Sequence, residues 1–193
     1  MFANRFTVFV DASSLASSLK RNLLLSLAEA DFFRLRWSSQ VLDETQTAIE
    51  EMVARKGAED AGQQAARARA NMERAFEDAT VSDFDHLLAV AEKLPDAHVV
   101  AAAVKTQASM IVTENLKDFP AKVLAALNIE AKSADAFIAD TIALDEGRAV
   151  AAIRRMRERF KKPAMTPEAL LLLMEAAGLI KTVDLLRPHV ASL

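Results

Sequence analysis

Along the first two-thirds of the chain, the apolar positions alternate between tight β-branched runs and spacings of three and four, the marks of strand and helix respectively. Phe6-Thr7-Val8-Phe9-Val10 stops abruptly at Asp11-Ala12-Ser13-Ser14, which predicts a buried first strand with an acid at its carboxyl end. From Leu15 to Ala30, Leu19, Leu23 and Leu27 recur at i+4 with Leu24 beside them and Lys20-Arg21 on the other side, the pattern of an amphipathic helix. Phe32 to Trp37 is aromatic-rich and predicts a strand or extended segment. Ser38-Ser39 offers a cap for a helix whose apolar face is Val41, Leu42, Ile49, Met52 and Val53, with Gly57 as its stop. Glu59 to Asp78 has high helix propensity but a weak apolar face, so it reads as a helix on the surface or projecting from it. Phe84 to Leu94 predicts a short helix ended by Pro95.

Pro95 to Pro120 then forms one compact unit. Ala97 to Thr106 is an apolar helix opened by Asp96, Ser109 to Thr113 is a strand, and Glu114 to Asp118 is a polar turn before Phe119-Pro120. Ala121 to Leu127 reads as helical, Ile129 to Lys132 as a strand, and Ser133 caps Ala134 to Leu144. This alternation predicts an α/β domain over residues 1–144, with a mainly parallel central sheet and helices on both faces. Residues 145–193 differ, reading as an all-helical C-terminal appendage. A basic helix runs from Glu146 to Lys162 and Pro163 breaks it. Thr166-Pro167-Glu168 starts the next helix, Leu170 to Met174 is its apolar body, and Gly178 ends it. A last helix covers Lys181 to Leu186.

Composition narrows the chemistry. With 52% apolar residues the chain can bury a core without covalent staples, and with no cysteine it has no disulfide, thiolate metal site or cysteine nucleophile. That usage fits a reducing, cytoplasmic setting. The start shows no signal-peptide pattern, and no apolar run approaches the ~18 residues of a membrane span, so no membrane association is expected. A net charge of −3 makes no general case for nucleic-acid binding, which would have to rest on local basic patches.

Acids and amides gather where a parallel sheet places function, at the carboxyl ends of its strands. Asp11 ends the first strand, and Asn115 and Asp118 follow the Ser109–Thr113 strand. Asp96 opens the helix leading into that strand and so starts at the same edge. Glu44 lies on the second long helix, within reach of the crevice. Carboxylates crowded on one edge repel unless a cation sits among them, and an all-oxygen set suits Mg²⁺ or Mn²⁺. Such an ion would polarise a phosphoryl oxygen, help deprotonate water and stabilise a leaving alkoxide, which points to phosphodiester hydrolysis.

Val8-Phe9-Val10-Asp11-Ala12, Val41-Leu42-Asp43-Glu44, Asp96 to Ala103 and Ile111 to Pro120 resemble, in order and spacing, the successive motifs of the PIN-domain ribonucleases. The nearest branch is the VapC-like toxins of bacterial type II toxin–antitoxin systems that carry a helical C-terminal extension. The resemblance covers roughly residues 6–135. It implies a PIN-like three-layer fold and a metal-dependent endoribonuclease using Mg²⁺ or Mn²⁺, with tRNA, rRNA or mRNA as substrate. A cognate antitoxin and homodimer formation come with it. The family's acids fall on Asp11, Glu44 and Asp96, its fourth position on Asn115 with Asp118 just after, and Thr113 would orient water or a carboxylate. The chain departs from the family at Ser13-Ser14, at Asn22 and in a shorter loop before Asp96.

Other readings stand beside these. Asp11 and Asp118 are also turn residues, Asp43 competes with Glu44, and either Asn115 or Asp118 completes the set. Asp96 is placed to cap its helix and bind metal at once. His98 reads as a packing or supporting residue. The run Arg154 to Lys162 is either a solvated helix face or an RNA-facing stripe, and Lys20, Arg21, Arg34, Arg36 and Lys117 are a second group of phosphate contacts. A catalytically weak PIN fold that binds RNA or protein is the alternative to the nuclease, and a small-substrate phosphohydrolase is a third reading.

Overall fold

Five short parallel strands in the order β3-β2-β1-β4-β5 form the centre of the computed structural model, which describes residues 6–161 and 163–193. β1 (Thr7–Val10) is buried along its whole length, as the unbroken apolar run requires of a central parallel strand. It pairs on one side with β2 (Arg34–Ser38), Val8 opposite Leu35, and on the other with β4 (Met110–Val112), Phe9 opposite Ile111. β5 (Glu130–Lys132) extends the sheet beyond β4, and β3 (Thr80–Val81) extends it beyond β2.

The sequence reading did not contain β3. Two residues are too few for any periodicity, and what fixes them is a tertiary contact. The Trp37 indole N–H donates to Thr80 Oγ1 at 3.1 Å, and the Trp37 ring meets Phe76 edge-on at 6.0 Å. The helix expected from Leu15 to Ala30 starts only at Ser18, as α2 (Ser18–Glu29), and a separate helical turn, α1 (Ala12–Leu15), precedes it with a break between the two. Arg21 secures that break by donating to the carbonyls of Leu15 and Ala16 at 2.6 and 3.2 Å. The stretch after Phe84 is a 3₁₀ segment, Asp85–Ala91, rather than an α-helix.

The remaining elements follow the expected order. α3 (Ser39–Arg55) is capped by Ser38, whose Oγ accepts from Val41 N at 3.2 Å. Gly57 ends that turn with φ +84°, a conformation other residues rarely adopt. α4 (Ala61–Ala75) packs back on α3, burying Ala65 and Met72. α5 (Ala97–Lys105) packs on β1, β2 and β4, and α6 (Ala121–Ala125) leads into β5.

α7 (Ala134–Leu144) joins the sheet to the C-terminal helices α8 (Glu146–Glu158), α9 (Pro167–Ala176) and α10 (Ile180–Leu186). α8 lies on α2 and α7, and α10 lies on α7. Asp135 caps α10, accepting from Thr182 N at 2.9 Å, Lys181 N at 3.1 Å and Thr182 Oγ1 at 2.9 Å. Ile153, Met156, Leu170, Met174, Val183 and Leu186 share one apolar core with Phe9 and Trp37.

Much of the basic run is used internally. Arg157 donates to the backbone oxygens of Leu193 at 3.0 Å and Met165 at 2.5 Å, Arg159 pairs with Glu29 at 2.8 Å, and Arg154 pairs with Glu158 at 2.9 Å. Arg155 and Lys161 remain exposed. Lys162, the last member of the run, and residues 1–5, which bear on the reading of the chain start, lie outside the described residues. No helix among the described residues is long and apolar enough to cross a membrane.

Candidate metal centre at the carboxyl edge of the sheet

Asp11 is the fixed point of this edge. Its backbone N–H continues the ladder by donating to Val112 O at 2.9 Å, so the side chain emerges where β1 and β4 end together. The residue is only 4% exposed. A carboxylate that deeply placed needs donors. Its Oδ2 has two, Ser13 Oγ at 2.6 Å and Thr113 Oγ1 at 2.8 Å. Each hydroxyl has a single proton to give, and both give it to Asp11. Each in turn accepts from a backbone amide: Ser13 from Glu114 N at 2.9 Å, Thr113 from Asn115 N at 3.0 Å. The loops after β1 and β4 are thereby locked to each other. Among the described residues no donor reaches Asp11 Oδ1.

Asp96 stands at the N-terminus of α5 and is partly buried. The sequence suggested that it caps this helix, but the side chain makes no capping hydrogen bond, which leaves the carboxyl uncommitted. Its pKa lies above the ordinary carboxylate value. Burial is the main cause, followed by the charge of Asp11 and those of Asp118 and Glu44, with His98 opposing them.

Glu44 approaches from α3. Its Oε1 accepts from Gln40 Nε2 at 3.2 Å and lies 3.3 Å from His98 Nε2, while Oε2 meets no donor among the described residues. Asp43, the competing acid, is turned to α4 and paired with Arg69. Asn115 is exposed, its position set by the backbone bond to Thr113. Asp118 is half-buried at the end of the 3₁₀ turn Leu116–Asp118, where Asp118 N donates to Asn115 O at 2.9 Å.

Two contributions escaped the sequence reading. Ser13 looked like a departure from the family pattern and instead supplies a donor to Asp11. Glu114 looked like turn filler, yet it accepts from Ala134 N at 3.0 Å, the first residue of α7, and from Lys20 Nζ at 2.6 Å. No local pattern announces an ion pair between residues so far apart in sequence. The phosphate-contact group is also thinned. Lys20 is held by Glu114, Arg21 by carbonyls, and Arg36 by the Asp78 carbonyl. Burial lowers the Arg21 pKa. Arg34 sits opposite Thr7, at the far end of the strand from Asp11. Lys117 is exposed beside the site.

Among the described residues, no three acidic or histidine side chains stand close enough to form a ready cage for an ion. What the edge offers is looser: oxygen donors only, one free oxygen each on Asp11 and Glu44, and an Asp96 carboxyl that carries the repulsion of its neighbours. That donor set fits a small hard cation that keeps several of its waters, as Mg²⁺ does when bound by one or two carboxylates. Thr113→Val tests how far the lock matters. It keeps the side-chain shape but strips a donor from Asp11 and an acceptor from Asn115 N, so urea unfolding should show a loss of about 1–3 kcal/mol.

A cleft of about 580 Å³ lies elsewhere, between α2, α4 and α8, and none of the five candidate residues lines it. Comparison with known proteins separates the chain into two matched regions. Residues 7–117 match the model of the PIN domain, and residues 134–188 match that of the VapC50 C-terminal domain. Over 87 residues the chain is 39% identical to a curated Mycobacterium tuberculosis (strain ATCC 25618 / H37Rv) protein named "Putative ribonuclease VapC50". That alignment covers 45% of this chain and 52% of the relative, so the match spans about half the length of each. No solved structure matches the chain. The PIN-domain match takes in β1 through the turn after β4, the span that carries Asp11, Glu44, Asp96 and Asn115, and the chain belongs to the PIN-domain family.

Proposed function

We propose that this chain is a divalent-cation-dependent endoribonuclease acting as the toxin of a toxin–antitoxin pair. The observation that carries the proposal is the placement of Asp11 where β1 ends beside β4 and of Asp96 at the start of α5, both within the span that matches the PIN domain. In this reading Asp11, Glu44 and Asp96 hold Mg²⁺ or Mn²⁺, Asp118 adds charge beside them, and Asn115 offers an amide at the rim. When bound, such an ion neutralises the developing charge on a phosphoryl group and lowers the pKa of water.

The chain's own residues do the rest. Ser13 and Thr113 both donate to Asp11 Oδ2, which leaves Oδ1 as the oxygen that would bind the ion. Lys117 supplies a cation for the phosphate backbone at an open edge, where a strand of RNA has access. The relative's name supports ribonuclease activity, and the antitoxin and a homodimer follow from the VapC-like resemblance. The composition without cysteine fits the cytoplasm as the place of action.

The test is incubation of the purified protein with structured RNA and, separately, with mononucleotides, in Mg²⁺ or in EDTA. Cleavage of RNA alone, lost in EDTA and restored by Mn²⁺, is the expected result. Cleavage that persists in EDTA overturns the metal mechanism. Binding without cleavage under every condition favours the alternative of a PIN fold that holds RNA or a protein without cutting, for which the lack of a ready cage is the supporting observation.

A further inference from the structure

Beside the acids of the edge lies one buried polar atom without a hydrogen-bond partner among the described residues. His98 lies in the first turn of α5, with its side chain 13% exposed and its Nε2 shielded from solvent. That nitrogen is 3.3 Å from Glu44 Oε1 yet is not aligned for a hydrogen bond with any described residue. A buried imidazole nitrogen without a partner is costly unless it has a task. The residues after it, Val99, Val100, Ala101, Ala102 and Ala103, are all apolar and buried, and Asp96 at the start of the helix is the polar group nearest to it in sequence.

The geometry at Glu44 shows what the task is. Both contacts to the carboxylate, from Gln40 and from His98, fall on Oε1, and Oε2 is left without a donor. Asp11 shows the same division, with Ser13 and Thr113 both on Oδ2 and Oδ1 left open. Glu44 differs in being the more exposed acid, its side chain 41% accessible, on a helix rather than at the end of a buried strand. Its carboxylate would sample several rotamers without a lateral stop. Gln40 is itself exposed and mobile in principle, whereas His98 is packed in the core edge. His98 is therefore the rigid side of the clamp.

We propose that His98 is a positioning residue whose ring, with Nε2 3.3 Å from Glu44 Oε1, stops the carboxylate on that side and so leaves Oε2 for the cation. This rests on the reading of the edge as a metal centre. It treats the imidazole as part of the fixed frame around the ion, the role that outer hydrogen-bonding partners play for ligating carboxylates.

The experiment is a double-mutant cycle read by calorimetric titration of Mn²⁺ into the full-length protein. His98→Ala should weaken Mn²⁺ binding by about tenfold, the scale of lost outer-sphere partners. In a Glu44→Gln background the same His98→Ala change should have little further effect, because its influence passes through Glu44. His98→Gln, which keeps a polar nitrogen near Glu44, should recover part of the affinity, and thermal melts should show all variants folded. Unchanged Mn²⁺ affinity in His98→Ala overturns the proposal, as does an equal loss in both backgrounds. Wild-type protein that binds no Mn²⁺ at all overturns the underlying metal reading instead, which separates the two failures.

Discussion

Asp96→Asn is expected to reduce RNA cleavage by at least about 100-fold, the scale on which loss of one charge stabiliser of a transition state acts. The amide keeps the size and shape of the side chain, so packing at the start of α5 is preserved. The same substitution should raise the melting temperature in EDTA at neutral pH. Asp96 is placed where burial and the charges of Asp11, Asp118 and Glu44 disfavour its ionised form. Its folded pKa therefore exceeds its unfolded value, and the folded state binds more protons than the unfolded one between the two. Its favourable contribution is complete below the unfolded value and is lost as pH rises through the folded one. Without divalent ions the wild-type protein should lose stability over that acidic window, and Asp96→Asn should lose less. Mn²⁺ should stabilise the wild type and leave the variant nearly unmoved. A variant that is less active and less stable in EDTA would show that Asp96 is a structural residue.

Phe137→Ala is expected to lower the unfolding free energy by about 3–5 kcal/mol, as for other large aromatic truncations in cores. The ring is 2% exposed and meets Phe33 edge-on at 5.0 Å and Phe6 at 6.4 Å. Its position on α7 magnifies the effect. The first residue of that helix is tied to Glu114 beside the candidate site, and its Asp135 caps α10. Urea unfolding followed by tryptophan fluorescence and by circular dichroism should give one coincident transition at a lower midpoint, since the sheet and the C-terminal helices share a core. Two separated transitions, or a loss below about 1 kcal/mol, would contradict a shared core seated through α7.

The two substitutions show which parts of the molecule the sequence makes legible. β1 and β4 declare themselves as short β-branched apolar runs that stop at polar turns, and α5 as an apolar helix opened by Asp96; parallel topology then places Asp11 and Asp96 on one edge. Ser38 and Ser133 were recognisable caps because their bonds to Val41 N and Ala136 N are local. The choice of Glu44 over Asp43 needed the α3–α4 packing, in which Arg69 claims Asp43. β3 was invisible because its placement is set by Trp37 and not by its own residues. Ser13 and Glu114 were misread for a related reason. Ser13 is held in place for Asp11 by Thr113 and Glu114, and Glu114 pairs with Lys20, residues about a hundred positions apart that no local pattern links. The basic helix was legible as charge, but the internal use of Arg157 and Arg159 depends on where the C-terminus and Glu29 come to rest.

If the carboxyl edge of the sheet holds a hard divalent ion, anomalous diffraction from crystals of the full chain grown with Mn²⁺ should show a peak within direct coordination distance of Asp11 and Asp96, with Glu44 Oε2 reaching it directly or through one water. Ordered density for these side chains with no peak among them, or a peak held by other residues, would contradict it.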